Sequence, residues 1–328
     1  MHTARTIRLA PTMSLVSLLA LGAAACAADR GGPSADGRTS SVVDSTVTSA
    51  APVQSATTIA APTTTEAAPV RPTGAVDTLL PIGEGGARLH LHCAGSGPST
   101  AVLIAGFGNG SDTWGAVAPE LSAETRVCSY DRFGTGTSDA PPTDQTFTSE
   151  ADDLHQLLQT AGEIGPYVVV GHSFGGAEAV AFTSRFSDEV EGVLLLDASP
   201  VTWPAATCAV PADGSQTAAV FAGICAAISD PGKNPERLNA PAAFADVASI
   251  ESLGDVPMTV ATRADLSYPD LPTTVESQLA GVWTEGQAHW ASLSSAAKLI
   301  TVPDTSHNIQ IDQPGVVVDQ ISALLSSP

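Results

Sequence analysis

Lysine is almost absent: Lys233 and Lys298 are the only two in 328 residues, and the formal net charge is −21. So acidic a chain offers no cationic track for a nucleic acid backbone and no electrostatic grip on an anionic lipid surface. Aromatic residues are missing until Phe107. Residues 27–75 lack leucine as well and are mostly Ala, Thr, Ser, Pro and Val. Such a segment buries too little apolar surface to offset the entropy of ordering it, so 27–75 is expected to be a flexible linker. The folded portion is then residues 76–328, a length that suits one α/β domain. A long uninterrupted apolar run is also lacking. The best, Met13–Ala25, is too short for a permanent membrane-spanning helix.

That run does fit an export signal. Arg5 and Arg8 precede it, small residues close it and Cys26 follows, so 1–26 reads as a signal peptide. Ala23-Ala24-Ala25-Cys26 resembles a bacterial lipoprotein signal, in which the cysteine is lipidated and becomes the new N-terminus; Ala23 stands where leucine is usual. Ordinary secretion, with cleavage after Ala25 or Ala27, is the other reading. Both place the protein outside the cytoplasm, either free or held at the outer face of the cell membrane by a lipid on Cys26. Cys93, Cys128, Cys208 and Cys225 remain. An even number of cysteines in an exported chain suits two disulfides, and the sequence alone permits three pairings.

From residue 87 onward, short β-branched runs alternate with helical patterns. Strands are expected at Ala87–Cys93, Ala101–Ala105, Arg126–Asp131, Tyr167–Gly171, Gly192–Asp197, Met258–Thr262 and Lys298–Val302. Runs such as Val168-Val169-Val170 and Val193-Leu194-Leu195-Leu196 are continuously apolar, as strands buried on both faces of a helix-covered parallel sheet must be. Helices are expected at Ser149–Glu163, with Ser149 and Asp152 as a capping box, at Ser173 to about Phe186, at about Val275–Ala296, and at about Gly315–Leu325. The pattern is doubly wound α/β. Residues 198–255 exceed what one crossover needs and read as an inserted cap over the site edge.

The strongest chemical signal is Gly171-His172-Ser173-Phe174-Gly175, directly after a strand and directly before a helix. A sharp strand-to-helix turn lifts the serine hydroxyl above the sheet, and only small residues two positions either side avoid a clash. Ser173 is therefore the candidate nucleophile. It needs a base, and His307 follows the last expected strand by a short polar loop. His2 lies in the signal, His172 inside the turn, and His155 and His289 in helical stretches. His90 and His92 alternate on a strand with no evident third ligand for a metal.

These motifs, in this order, resemble the α/β-hydrolase superfamily over roughly residues 80–328. Leu103-Ile104-Ala105-Gly106-Phe107-Gly108 and Trp114 resemble its oxyanion loop. Tyr130-Asp131-Arg132-Phe133-Gly134-Thr135-Gly136-Thr137-Ser138 resembles its glycine-rich turn, and Ser306-His307-Asn308-Ile309-Gln310 its histidine loop. The resemblance implies backbone oxyanion donors at Phe107 and Phe174, and a third triad member after the sixth or seventh strand. That residue is Asp197 or Asp265. The long helical stretch after Asp265, and the polar neighbours Arg263 and Asp270, tilt the reading to Asp197. Because the family's second and fourth strands are neighbours, the resemblance also implies Cys93–Cys128, leaving Cys208–Cys225 within the cap. The implied activity is hydrolysis of a small-molecule carboxylic ester, or of an amide or lactone, through an acyl-enzyme. No metal or organic cofactor is implied. An acyltransferase or haloperoxidase-like enzyme of the same fold, and a non-catalytic ligand-binding or sensing module, are the alternatives.

Overall fold

The computed structural model describes residues 71–83 and 85–326. The expected signal peptide, Cys26 and all of the expected linker before residue 71 lie outside the described residues. Eight strands form one sheet: β1 (Val76–Ile82), β2 (Ala87–Ala94), β3 (Thr100–Ile104), β4 (Arg126–Asp131), β5 (Tyr167–His172), β6 (Val190–Leu196), β7 (Met258–Arg263) and β8 (Ala297–Val302). Their spatial order is β1-β2-β4-β3-β5-β6-β7-β8. The β1–β2 and β2–β4 pairs are antiparallel and every later pair is parallel.

The continuously apolar strands behave as two-faced elements. Alternate residues enter different cores, with Val169, Val193 and Leu195 in one and Val168, Val170, Leu194 and Leu196 in the other. Each such side chain, fully buried, contributes about 1.5–3 kcal/mol. The helices are α1 (Ala118–Leu121), α2 (Phe147–Thr160), α3 (Phe174–Arg185), α4 (Trp203–Cys208), α5 (Gln216–Ile228), α6 (Ala240–Ala248), α7 (Thr273–Ser292), α8 (Ile309–Asp312) and α9 (Pro314–Leu325). α2 and α3 supply Leu154, Leu157, Ala177 and Phe182 to the first core, and α9 supplies Val317 and Ile321 to the second. This is an α/β-hydrolase architecture, with α4, α5 and α6 occupying the insertion between β6 and β7.

Three sequence expectations are corrected. The first long helix begins earlier than Ser149. Thr146 is its cap, accepting from the Ser149 amide while the Ser149 hydroxyl accepts from the Thr146 amide. Asp152 is not in that box; it pairs with Arg185. Strand β1 was not expected. It lies at the sheet edge, half-exposed and carrying Pro81, a residue that only an edge strand tolerates, so no buried apolar run announces it. Arg263, taken as a mark of a polar surface loop, is the buried last residue of β7.

Both expected cysteine pairs are within bonding distance. Cys93 and Cys128 face each other in register across β2 and β4, and Cys208 joins the end of α4 to Cys225 on α5.

Candidate active site

The site forms where β5, β6 and β8 end at the same edge of the sheet. The chain leaves β5 and enters α3 through Ser173, whose φ of 55° and ψ of −122° lie where L-residues are strained. Two glycines permit the turn. A Cβ on Gly171 would collide with the Gly175 backbone, and one on Gly175 would collide with the carbonyls of Ile104 and Ala105. The strained residue is held from behind, its amide donating to the Leu196 carbonyl at 3.1 Å and its carbonyl accepting from Gly176 at 3.0 Å.

Ser173 Oγ lies 2.9 Å from His307 Nε2, and His307 Nδ1 lies 2.7 Å from Asp197 Oδ2. Asp197 sits just past β6 with a φ of 43°. The structure thus brings Ser173, His307 and Asp197 together from three separate strand ends. It leaves Asp265 out: that carboxylate is exposed and accepts from the Ser267 amide at 2.8 Å.

Asp197 is fully buried and accepts five hydrogen bonds. Besides His307, its donors are the Thr262 hydroxyl at 2.9 Å, the Arg263 amide at 3.2 Å, the Trp283 indole at 2.8 Å and the Arg263 guanidinium. Burial alone would raise its pKa, but the His307 bond and the charges of His307 and Arg263 outweigh it and hold the carboxyl far below its usual range. An anion this stable can fix the imidazole so that Nδ1 carries the proton and Nε2 presents a lone pair to the serine. That geometry lets a serine hydroxyl lose its proton while attacking a carbonyl.

Residues set aside in the sequence turn out to support the site. His172 is buried, and its Nε2 donates to the His307 backbone carbonyl at 2.9 Å. Burial, and then the neighbouring His307, lower its pKa to about 3, so it stays neutral and anchors the histidine loop. Arg263 contacts Asp197 and lies over the Trp283 ring at 4.4 Å. A charged residue at the inner end of a strand was the only available sign of that role. Nothing local marked Trp283, which reaches Asp197 from α7.

The loop between β3 and the short turn at Ser111–Trp114 carries Phe107, and α3 begins at Phe174; their rings lie 5.4 Å apart. Arg132 clamps this loop, donating to the carbonyls of Ala105 at 2.6 Å and Gly106 at 2.7 Å. The clamp is itself held by Glu236 from the insertion, which takes the Arg132 Nε bond at 2.8 Å and also accepts from the Gly108 amide. Glu150 and Glu178 complete a buried cluster of three carboxylates around one guanidinium.

A twisted, mainly parallel sheet with a strained serine turn and a serine–histidine–aspartate relay at one edge defines a class of protein. The chain belongs to the alpha/beta hydrolase family, whose sequence profile matches residues 101–320. A Mycobacterium tuberculosis (strain ATCC 25618 / H37Rv) protein with no assigned function is 36% identical over 117 residues, which is 36% of this chain and 34% of that one. This chain therefore spans about a third of that relative's length. Among solved structures, an esterase from Thermogutta terrifontis is similar with a TM-score of 0.51 and 22% identity, over 77% of this chain and 98% of that one. Est816, described as an N-acyl homoserine lactone degrading enzyme, is similar with a TM-score of 0.52 and 17% identity, over 75% and 99%. At such identities the two structures speak for the fold.

Proposed function

We propose that the protein is a serine hydrolase that cleaves carboxylic esters through an acyl-enzyme on Ser173. The observation that carries this reading is the unbroken contact chain from Ser173 Oγ to His307 at 2.9 Å and on to Asp197 at 2.7 Å. The serine oxygen attacks the ester carbonyl while its proton passes to His307 Nε2, and Asp197 stabilises the resulting imidazolium. The Phe107 amide, in the loop fixed by Arg132 and Glu236, and the Phe174 amide at the start of α3 hold the oxyanion. His307 then gives its proton to the leaving alcohol and later takes one from water. Esterases and a lactone-degrading enzyme among the structural neighbours support an ester or lactone substrate.

Export belongs to the same reading. Two bonded cysteine pairs suit an oxidising compartment, and an N-terminal signal ending at Cys26 would deliver the domain there.

Hydrolysis of p-nitrophenyl esters of graded chain length, by the full chain and by its Ser173→Ala variant, tests the proposal. Turnover that disappears in the variant is the expected result. Equal turnover in both, or none on any ester in folded protein, would defeat it.

A further inference from the structure

Ser173 Oγ has a second polar neighbour besides His307. The Ser199 hydroxyl lies 3.3 Å away. Ser199 is buried, two residues beyond Asp197, and its own amide donates to the Ser173 carbonyl at 3.1 Å. The two serines are therefore tied together through both backbone and side chain.

A count of protons decides which hydroxyl donates. Ionised Asp197 can only accept, so its 2.7 Å contact requires the proton on His307 Nδ1. The neutral ring then offers only a lone pair at Nε2, and the 2.9 Å contact there is donated by Ser173. With its single proton committed, Ser173 Oγ can only accept from Ser199. The Ser199 hydroxyl is the donor.

We propose that Ser199 is a catalytic hydrogen-bond donor to the nucleophile oxygen, acting chiefly when the acyl-enzyme breaks down. The inference rests on the acyl-enzyme reading above. During acylation Oγ attacks with a lone pair, and a donor at that oxygen draws on the electron density that must attack. Because the same donor already bonds the resting Ser173 hydroxyl, acylation gains little from it relative to the free enzyme. During deacylation, water adds to the acyl carbon and its proton passes to His307 Nε2. The tetrahedral carbon then expels the serine: the carbon–Oγ bond breaks, its electron pair settles on Oγ, and His307 returns a proton to that oxygen. Here the charge develops on what was the acyl-enzyme's ester oxygen, a poor acceptor, so the donor's bond is gained almost wholly in this step as it shortens onto the departing Oγ. The resting contact is longer than the usual hydroxyl–hydroxyl distance of about 2.7–2.8 Å. Catalytic contacts that tighten only as charge develops have this character. Ser199 would thus serve the departing oxygen, a different atom from the carbonyl oxygen held by the backbone amides.

The test is stopped-flow hydrolysis of p-nitrophenyl butyrate by the full chain and by Ser199→Ala, Ser199→Thr and Ser199→Cys. The rate of the p-nitrophenol burst reports acylation and the release of butyrate reports deacylation. Ser199→Ala is expected to slow deacylation about tenfold while acylation changes less than about twofold, so that acyl-enzyme accumulates and kcat and KM fall together. Ser199→Thr keeps the hydroxyl and restores deacylation. Ser199→Cys keeps the volume with a weak donor and deacylates slowly at an unchanged melting temperature, which separates the effect from a packing defect. Equal slowing of both steps, or wild-type deacylation in Ser199→Cys, would overturn the role. Turnover surviving in Ser173→Ala would instead remove the acyl-enzyme itself, and the assignment of Ser199 with it.

Discussion

Replacing Asp197 by Asn separates the two aspartates that the sequence left in competition, and its consequences divide into two measurable parts. The first is catalytic. Asn offers His307 Nδ1 either a carbonyl or an NH2 group and no charge, so the imidazolium loses its partner and the ring can adopt the wrong tautomer; a drop in kcat of about 10⁴ is expected. The second is structural. Asp197 neutralises the buried Arg263 guanidinium, and removing one member of a buried pair costs about 3–5 kcal/mol. For a domain of this size that is a fall in melting temperature of roughly 6–20 °C. The double variant Asp197→Asn/Arg263→Met removes the orphaned charge and is expected to recover most of the stability and none of the activity. Asp265→Asn touches an exposed carboxylate and is expected to change stability by less than about 0.5 kcal/mol and leave kcat unaltered. Steady-state ester hydrolysis and thermal unfolding of all three variants provide the check. An inactive Asp265→Asn beside an active Asp197→Asn would refute the reasoning.

Further outcomes follow from the parts around the relay. Glu236→Gln weakens the hold on both the Gly108 amide and Arg132, so kcat is expected to fall about 10- to 100-fold with KM little changed; an unaltered kcat would show that the oxyanion loop holds itself. Opening Cys208–Cys225, which closes a short loop between α4 and α5, is expected to cost about 3 kcal/mol, read as the shift in unfolding midpoint of a Cys208→Ser/Cys225→Ser variant. Asp153 has its carboxyl raised to about 6 by burial and by its neighbour Asp152. A raised folded-state value favours folding below the unfolded value and loses that stability as pH climbs through 6. Asp153→Asn should therefore raise the melting temperature at pH 8 relative to wild type and give little gain at pH 4. A gain that is equal at both values would dissociate the effect from ionisation.

How far each residue could be read from the chain depended on how local its reason was. Ser173 is specified by its own neighbours: a strand before, a helix after, and glycines where a Cβ would strike backbone. His307 was legible through the order of elements, because one short polar loop follows the last strand. The choice of Asp197 over Asp265 rested on the length of the α7 segment, and the structure shows what that length provides, since α7 delivers Trp283 to Asp197. The supporting residues were not legible. His172 occupies the variable position of the turn, Arg263 looked like part of an ordinary polar loop, and Glu236 meets Arg132 only because the insertion folds back over the sheet edge. Each acts through a contact between distant segments, and no periodicity encodes such a meeting. The edge strand β1 escaped notice for another reason: Asp77, Thr78 and Pro81 break up its apolar residues, and only Ile82 is buried.

The position of the acid has a consequence for how this protein can diversify. Because Asp197 directly follows β6, the inserted helices begin only a few residues later, and Trp203 at the head of that insertion stacks edge-on against Trp283, the indole that holds the carboxylate. The insertion and the part of the chain that would move protons therefore share one joint. A foreign insertion grafted onto this scaffold would need to keep residues 197–199, the Trp203 contact and a carboxylate in the place of Glu236. Exchanges that respect those three points are expected to keep turnover, whereas those that do not are expected to lose it.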